Sequence, residues 1–417
     1  MLVAPAQRKP ALSPRDALEE RIRYMDLDPN WTANDGMRLR AQWWWRFGAP
    51  MRKLSPVVRD KDPNRKLRVG YVSGDFVLHS ACTVFGPIML SHSPEFEVFS
   101  YSSTPHHLHD PSTRVFQECT KWRDLVGVPD NVVAEVIRED EIDVLIDCSG
   151  LTPNSRLPAF AMRPAPVQIN AWGYVYPTGF PCYDAILSDR ICIHEDERAH
   201  IERVVDLPCA LYYPDRELFV EANPLPCLSA PVTFGTFNRV AKVDDKAIIL
   251  WKRILDAVPG SRFVFKSGDR TLTKTHDKMR AVLGDRLVFH PPTSTLEHAA
   301  AYHLLDLNLD PIAQNGGVTS MESLWMGVPM VTLPGGQTPT RMSQSFLTVL
   351  GMEDFIAKTE DDYVRLAVEW VTSRRHELAW IRAGLRAKMR ASPLNVGYVE
   401  AVERAYRMLW KEWCSHE

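Results

Sequence analysis

The spacing of apolar residues changes near Lys66. Between Asp16 and Leu27, apolar side chains recur at helical spacing, which predicts one amphipathic helix that ends at Asp28-Pro29. After Lys66, short β-branched and apolar runs alternate with amphipathic stretches. In the first half, these runs cover 67–73, 96–102, 142–150 and 166–174. Such alternation is typical of a parallel sheet whose strands are joined by helices.

The second half of the chain repeats this pattern. Its apolar runs cover 232–237, 262–267, 286–290, 307–310 and 328–333. A proline-rich segment without periodicity separates the halves. We therefore predict an α/β protein with two doubly wound domains that face a cleft at the carboxyl ends of their strands, where such sheets bind ligands. The predicted divisions are 1–63 (a disordered start over 1–15 and a helical segment), 64–213 (first domain), 214–231 (linker), 232–395 (second domain) and 396–417 (a helix that crosses back).

The N-terminal segment permits two interpretations. Its helix resembles the second helix of a tetratricopeptide repeat, but no second copy follows, so a lone packing helix is favoured. The run Trp43-Trp44-Trp45 could stack on a ligand, or it could dock a helix through two rings and spread the third over the surface. We expect residues 16–50 to pack on the first domain, and the alternative is an acceptor or partner site.

Composition narrows the class of protein. The chain has 417 residues, 45% hydrophobic and 24% charged, which is ordinary globular composition for two or three domains. A net charge of −3 provides no basic field for a nucleic acid, so no nucleic-acid partner is expected. The eight cysteines lie scattered without zinc-ligand spacing, which indicates reduced thiols in a cytoplasmic protein and no metal site. No signal-peptide core and no apolar stretch of about 18 residues is present, so no membrane partner is expected.

The segment DPIAQNGGVTSME, from Asp310 to Glu322, holds the most informative chemistry. It lies between a predicted strand and a helix whose first N–H groups would point at an entering anion. The candidate anion-binding residues are Asn315, Gly316, Gly317, Thr319 and Ser320. The segment is neither a Walker loop nor the GxGxxG of a dinucleotide fold. Glu322 is placed to accept hydrogen bonds from a ribose. The alternative is a glycine-rich turn followed by an ordinary helix N-cap.

Charged residues follow two other predicted strands. Arg239 and Lys242 lie just after 232–237, and two cations beside a helix N-terminus suit a diphosphate, although such residues alone are usually solvated surface charges. His79 follows the first strand of the first domain, where an imidazole could act as a base or orient an acceptor. A histidine hydrogen-bonded in a loop is the alternative. Asp110 offers a carboxylate on the next loop, or an ordinary helix N-cap.

Several collinear motifs resemble one family. LRVGYVSGDFVLHS, TFGTFNRVAKVD and DPIAQNGGVTSMESLWMGVPMVTLPG are similar to the catalytic region of the O-GlcNAc transferase and SPINDLY family of protein glycosyltransferases. The similarity covers about residues 64–413, without the family's tetratricopeptide array. It implies two Rossmann-like domains of the GT-B type, the first on the acceptor side and the second binding the nucleotide sugar. It also implies an inverting, metal-independent transferase without a cofactor, whose donor is a nucleotide sugar, with a UDP-sugar favoured.

The resemblance also implies roles for individual residues. Lys242 corresponds to the family lysine that contacts the donor diphosphate and is needed for catalysis, and His79 to the active-site histidine. His298 matches a histidine near the nucleotide base. Thr319 and Glu322 match the phosphate-binding threonine and the ribose-binding acid. For Asp110 the match is loose, since its spacing to Arg114 differs, and His79, Asp110, water or the phosphate itself remain alternatives for deprotonating the acceptor.

The chain departs from the animal family pattern around the donor. Arg239 stands where that pattern has Gln, Gly317-Val318 where it has His-Thr, and Thr295 where it has Lys. The expected function is transfer of GlcNAc to a Ser or Thr hydroxyl of a protein or peptide, presented directly or by a partner protein. The alternatives are a glucosyl- or fucosyltransferase acting on Asn, Ser/Thr or a small molecule, and a non-catalytic nucleotide-sugar-binding protein.

Overall fold

A parallel sheet of seven strands organises the first half of the chain. The computed structural model describes residues 12–28, 31–215, 220–268 and 273–415. The strand order is β3-β2-β1-β4-β5-β6-β7, and all neighbouring pairs are parallel. The strands are β1 (Leu67–Ser73), β2 (Phe96–Ser102), β3 (Lys121–Asp124), β4 (Val144–Asp147), β5 (Val167–Asn170), β6 (Ala185–Ser188) and β7 (Val204–Asp206). Every residue of β4, β5 and β6 is buried, as expected for strands covered on both faces.

A second parallel sheet of five strands follows in the order β10-β9-β8-β11-β12. Its strands are β8 (Thr233–Thr236), β9 (Arg262–Lys266), β10 (Leu287–His290), β11 (Leu307–Leu309) and β12 (Met330–Val331). In each sheet the strand order reverses beside the first strand, between β1 and β4 and between β8 and β11. Ligands bind at such switch points, outside the carboxyl ends of the strands.

Helices cover both sheets, and α1 and α14 are the first and last elements of the described residues. They are α1 (Pro14–Met25), α2 (Ala33–Trp43), α3 (Ser80–Leu90), α4 (Pro111–Cys119), α5 (Asp130–Glu139), α6 (Leu157–Ala161), α7 (Asp245–Ala257), α8 (Lys274–Leu283), α9 (Thr295–Ala301), α10 (Val318–Trp325), α11 (Met342–Val349), α12 (Glu360–Val371), α13 (Arg375–Ala391) and α14 (Tyr398–Ser415). Within the described residues, no helix has the length and apolar character that crossing a bilayer requires.

The N-terminal segment contains two helices where the sequence predicts one. Ser13 caps α1, so this helix begins at Pro14, inside the stretch predicted to be disordered, while residues 1–11 lie outside the described residues. Thr32 and Asp35 form a capping box that starts α2. Among the residues of α2 whose burial is described, Leu39 is the one large apolar side chain buried before Trp43, beside Gly36 and Arg40, which explains why its apolar periodicity is weak.

Both N-terminal helices pack on the first domain. The fully buried Trp43 donates its indole N–H to Glu19 at 2.9 Å, and Trp43 and Trp44 both pack against Phe180. The ring of Trp45 is 72% exposed. The tryptophan run therefore docks a helix through two of its rings, which is the second of the two predicted arrangements.

A buried ion pair joins α2 to the end of α1 and is hydrogen-bonded to the first domain. The guanidinium of Arg40 contacts Asp26 at 2.5 Å, hydrogen-bonds the Tyr174 hydroxyl and lies over the Tyr176 ring. Burial raises the pKa of the Asp26 carboxyl, and Arg40 opposes this rise. Removing either partner would leave a buried charge without compensation, so the pair fixes the position of the segment.

Helix α14 returns to the first domain. The Tyr406 hydroxyl lies 3.0 Å from that of Tyr71 on β1, and the Trp410 indole donates to the Asp62 carbonyl at 3.2 Å. The side chains of Tyr406 and Trp410 are both fully buried. The first domain is thus completed by a helix that follows the second domain in sequence.

A buried arginine of the second domain also contacts the first domain. Arg341, just before α11, donates to the Cys192 carbonyl at 3.0 Å and to the Glu197 carboxylate at 2.6 Å. Ser345 donates to Asp189 of the same first-domain loop. These contacts fix how the two sheets face one another.

Candidate active site

The glycine-rich turn after β11 is braced by Asp310. One carboxylate oxygen of Asp310 accepts the Gly316 N–H at 2.9 Å, and the other accepts the Thr332 hydroxyl at 2.8 Å. A Cβ on Gly316 would lie 2.1 Å from the Ser320 hydroxyl oxygen, so this position has no room for a side chain. The sequence marks the two glycines of the turn, but it does not identify Asp310 as the residue that holds it.

The turn leads directly into the N-terminus of α10. The Gly317 carbonyl accepts the Ser320 and Met321 N–H groups at 3.1 and 3.2 Å, and the earlier N–H groups of a helix have no partner inside it. The Thr319 hydroxyl, which remains partly accessible, donates to the Asn238 side chain at 2.8 Å.

Ser320 lies differently from what its sequence position suggests. It is fully buried, and its hydroxyl bonds that of Ser343 at 3.1 Å, behind the turn. Its side chain therefore supports the turn from within the domain and is not presented to a ligand. Asn315 is also buried, and the amide oxygen of its side chain has no hydrogen-bond partner among the described residues.

Lys242 reaches this turn from the loop after β8. Its ammonium donates to the Asn315 carbonyl at 2.7 Å. Burial lowers the pKa of Lys242, Arg239 lowers it further, and Asp310 opposes both. Burial likewise raises the pKa of Asp310. Two loops that the sequence analysis singled out separately thus meet around one lysine, whose charge is poorly compensated by the protein alone.

A second polar cluster lies at the same edge of the sheet. The Lys266 ammonium is 2.8 Å from Nδ1 of His298, and Nε2 of that imidazole is 3.3 Å from Glu322. The His298 ring also packs against Phe237 and, edge-on, against Tyr302. The predicted base-site histidine and ribose-site acid are therefore neighbours. Lys266 was not predicted; its only signal is a lysine that ends an apolar run at the carboxyl end of β9.

The first-domain wall carries His79. Its Nδ1 accepts the Ala81 N–H at 3.3 Å and lies 3.5 Å from the Asp75 carboxylate, while 51% of the side chain is exposed. Burial raises the pKa of Asp75, and His79 opposes that rise. The imidazole is thus held at the start of α3 and remains accessible from solvent.

Asp110 holds the loop of His79 through hydrogen bonds to backbone groups. One oxygen of its carboxylate caps α4 by accepting the Ser112 and Thr113 N–H groups at 2.8 and 3.3 Å, and the other accepts the Leu78 N–H at 2.6 Å. The N-cap alternative describes this geometry. Because backbone groups occupy both oxygens, Asp110 positions the His79 loop, and a role as catalytic base has no support in these contacts.

The two walls face each other. Helix α3, which begins just after His79, contacts α10, which begins just after the glycine-rich turn. Arg239 is close enough to Tyr176 of the first domain to oppose the rise in the phenol pKa that burial causes. A Cβ at Gly317 would meet Leu211 of the first domain at 3.3 Å. These contacts bring the His79 loop of the first domain and the glycine-rich turn of the second to one junction between the domains.

A cavity of about 790 Å³ lies beside α13 and shares no residue with this cleft. Over the part of the chain that is described, no cluster of three or more His, Cys, Asp or Glu side chains is placed to hold a metal ion.

The chain is similar in sequence to known proteins over most of its length. The most similar curated relatives include proteins named probable UDP-N-acetylglucosamine–peptide N-acetylglucosaminyltransferase SPINDLY. That from Arabidopsis thaliana is 34% identical over 90% of this chain and 43% of its own length, and that from Petunia hybrida is 32% identical over 96% of this chain and 44% of its own. The chain thus spans less than half the length of these relatives.

The chain is also similar to solved structures of glycosyltransferases. A mutant of the Thermobaculum terrenum O-GlcNAc transferase superposes with a TM-score of 0.89 at 28% identity, covering 96% of this chain and 78% of that one. A glycosyltransferase from Rickettsia africae, 11% identical with a TM-score of 0.56 over 84% of this chain and 100% of its own, shares the GT-B fold alone. The sequence model of Glycosyl transferase family 41 matches residues 54–221 and 224–399, and the chain belongs to that family.

Proposed function

We propose that this protein transfers GlcNAc from UDP-GlcNAc to Ser or Thr hydroxyls of a protein or peptide. Membership of family 41 and the names of the relatives support this donor and acceptor class. The observation that carries the proposal is the contact of Lys242 with the Asn315 carbonyl, because it places a cation at the N-terminus of α10 where a diphosphate would lie.

The site supplies positive charge where the reaction needs it. The acceptor oxygen bonds to the anomeric carbon while the bond from that carbon to the phosphate oxygen breaks, and the electron pair goes to the diphosphate. Lys242, Arg239 and the first N–H groups of α10 stabilise this growing charge. We therefore propose a single displacement that inverts the anomeric carbon and requires no metal ion.

His79 is the accessible titratable group on the acceptor wall. The proton of the acceptor hydroxyl passes to His79, to water or to the departing phosphate. Asp110 contributes by holding the loop of His79. The residues of the first domain thus orient the acceptor, and those of the second domain bind the donor.

The acceptor and its presentation are part of the proposal. The curated relatives are more than twice as long as the matched region. The described N-terminal helices pack on the first domain, so we propose that the cleft takes short peptides directly or receives substrates from a partner. We also propose a cytoplasmic location, on the interpretation of the scattered cysteines as reduced thiols.

A donor panel tests the proposal. The protein is incubated with Ser/Thr-rich peptides and UDP-GlcNAc, UDP-glucose or GDP-fucose, with and without excess EDTA, and the peptides are analysed by mass spectrometry and NMR. We expect addition of N-acetylhexosamine, in the anomeric configuration opposite to the donor's, unchanged by EDTA. Transfer of glucose or fucose alone would contradict the donor. Binding without transfer or hydrolysis would indicate a non-catalytic protein.

A further inference from the structure

We propose that Lys266 is a positioning residue of the donor site, which fixes the proton of His298 and through it the carboxylate of Glu322. The proposal rests on the proposed function, since it deepens the account of how the nucleotide end of the donor is held. No part of it requires Lys266 to touch the donor.

With Lys266 charged and Glu322 ionised, one arrangement of protons satisfies the three side chains. A lysine ammonium has donors and no acceptor, so Nδ1 of His298, 2.8 Å away, must accept. An ionised carboxylate only accepts, so Nε2 of the same ring must donate to Glu322 at 3.3 Å. A neutral imidazole with its proton on Nε2 meets both conditions, whereas an imidazolium would direct an N–H at the ammonium.

Burial places the lysine behind the other two groups. Lys266 is 4% exposed at the end of β9, whereas the side chains of His298 and Glu322 are 25% and 21% exposed. The three residues come from β9, α9 and α10, so the contacts between them depend on how these elements pack at the edge of the sheet where the nucleotide is proposed to bind. The lysine thus lies behind the imidazole and the carboxylate, which remain partly accessible from solvent.

The surrounding groups limit the movement of the imidazole. Phe237 and Tyr302 pack against the His298 ring, and the Tyr302 hydroxyl donates to the Thr319 carbonyl at 3.0 Å. Burial lowers the pKa of Lys266, and the carboxylates of Glu322 and Glu297 oppose this change. The Glu297 carboxylate is itself held by the N–H and hydroxyl of Ser294. What remains free to change, once the ring is confined, is which nitrogen carries the proton.

The consequence for the donor is a site with one protonation pattern. A neutral, flat ring is available for stacking of a base, and the N–H from Nε2 holds one oxygen of Glu322 so that the carboxylate keeps one plane for the ribose hydroxyls. Without the ammonium, the ring can carry its proton on Nδ1, and Nε2 then presents a lone pair to the carboxylate, which repels it. We expect the loss to appear in donor binding and not in the bond-breaking step.

The test compares Lys266→Met, Lys266→Arg and the control Lys278→Met, an exposed lysine on α8 paired with Asp245. Selective ¹⁵N labelling of histidine reports the tautomer of His298 in the protein without donor, with assignment by His298→Gln. We expect a pure Nε2–H signal in the wild type and in the control, a mixture in Lys266→Met, and recovery in Lys266→Arg, which still donates. Calorimetric titration with UDP and steady-state kinetics are measured on the same samples.

In Lys266→Met, we expect the Kd for UDP and the KM for the donor to rise about tenfold with kcat within about threefold, as for loss of one charge-assisted hydrogen bond. An unchanged tautomer in Lys266→Met would overturn the proposal, whether or not UDP binding weakens, since weaker binding would then mean direct contact with the donor. A fall in kcat accompanied by a fall in melting temperature in Lys266→Met would also overturn the proposal. If the wild type binds UDP but transfers no sugar, the proposed function fails, and the tautomer and UDP measurements still decide the role of Lys266.

Discussion

Lys242 carries a charge that is costly until a donor is bound. It is held against the Asn315 carbonyl, and burial and Arg239 lower its pKa. A group whose charge is poorly compensated in the free protein is well placed to respond to a diphosphate, since the incoming negative charge meets little competition. The catalytic role proposed for this lysine and its cost to stability therefore have the same origin.

Replacing Lys242 by Met should lower kcat by about a hundredfold or more, because one electrostatic donor to the departing diphosphate is lost. The melting temperature should not fall. Below the folded-state pKa both folded and unfolded chains carry the charge, so the full cost of burying it is present there and the variant removes it. Kinetics with a labelled donor and thermal unfolding at mildly acidic pH provide the measurements.

Lys246→Met is the matched control for this change. Lys246 lies on α7 and is an exposed partner of Glu360. It should retain wild-type rates. Near wild-type activity in Lys242→Met would remove this lysine from the mechanism.

Binding of UDP should take up protons. The diphosphate raises the pKa of Lys242 toward its ordinary value, so protons are bound at pH values above the pKa of the free protein's lysine and below that of the complex. Affinity for UDP should accordingly fall as pH rises through this window. Calorimetry in buffers of different ionisation enthalpy measures the uptake, and Lys242→Met should abolish it; equal uptake in that variant would assign the proton to another group.

At the scale of elements, the turn and α10 act as one unit. Gly316 lets the backbone pass the Ser320 hydroxyl, Asp310 holds the turn, and Ser320 anchors it to Ser343. The N–H groups of α10 point at the cleft only while this brace holds. The turn is therefore defined as much by buried hydrogen bonds as by its two glycines.

Gly316→Ala should weaken donor binding and destabilise the protein by about 1–3 kcal/mol, because the added methyl group would lie 2.1 Å from the Ser320 hydroxyl oxygen. Gly336→Ala is the control, since a Cβ there meets nothing within 4 Å. Denaturant unfolding and UDP titration compare the two. If both variants had equal stability and affinity, the turn would have room for a side chain at Gly316, contrary to the structure.

Elements differed in how far the sequence predicted them. Apolar runs identified β1, β2, β4, β5 and the five strands of the second sheet, because both faces of these sheets are covered, as in β4 and β5. The sequence analysis did not identify β3, β6 and β7; β3 and β7 are short edge strands with exposed residues. Helix α2 was not identified either, because few of its side chains are buried. The contact of Lys266 with His298 joins residues 32 positions apart and depends on how β9 and α9 pack, which no local pattern specifies. The burial of Ser320 likewise follows from packing against α11.

At the scale of the whole molecule, the N-terminal segment belongs to the fold of the first domain. Trp43 and Arg40 are buried in its surface, so removal of the segment would expose Phe180 and leave Tyr174 without its partner. Deletion of residues 1–50 would therefore test stability more than acceptor binding, and single-residue changes separate the two.

Trp43→Ala should destabilise the protein by about 3–5 kcal/mol, as for large aromatic truncations in a core. Trp45→Ala should leave stability unchanged, because this ring is 72% exposed. Thermal unfolding, donor hydrolysis and peptide glycosylation are measured for both. If Trp45→Ala keeps hydrolysis and loses peptide transfer, the segment also contacts the acceptor, and a purely structural role for it is wrong.

The return of α14 to the first domain has a consequence for how the protein is made. Tyr406 and Trp410 fill a surface formed by β1 and the segment before it, yet the ribosome synthesises them after the entire second domain. From the end of β7 to the start of α14, translation at about 5–20 residues per second takes on the order of ten to forty seconds. During this time the first domain waits with an apolar face uncovered, so the second domain folds beside an unfinished neighbour. The first domain is therefore begun first and completed after the second, and the nascent chain is most exposed to aggregation just before α14 emerges.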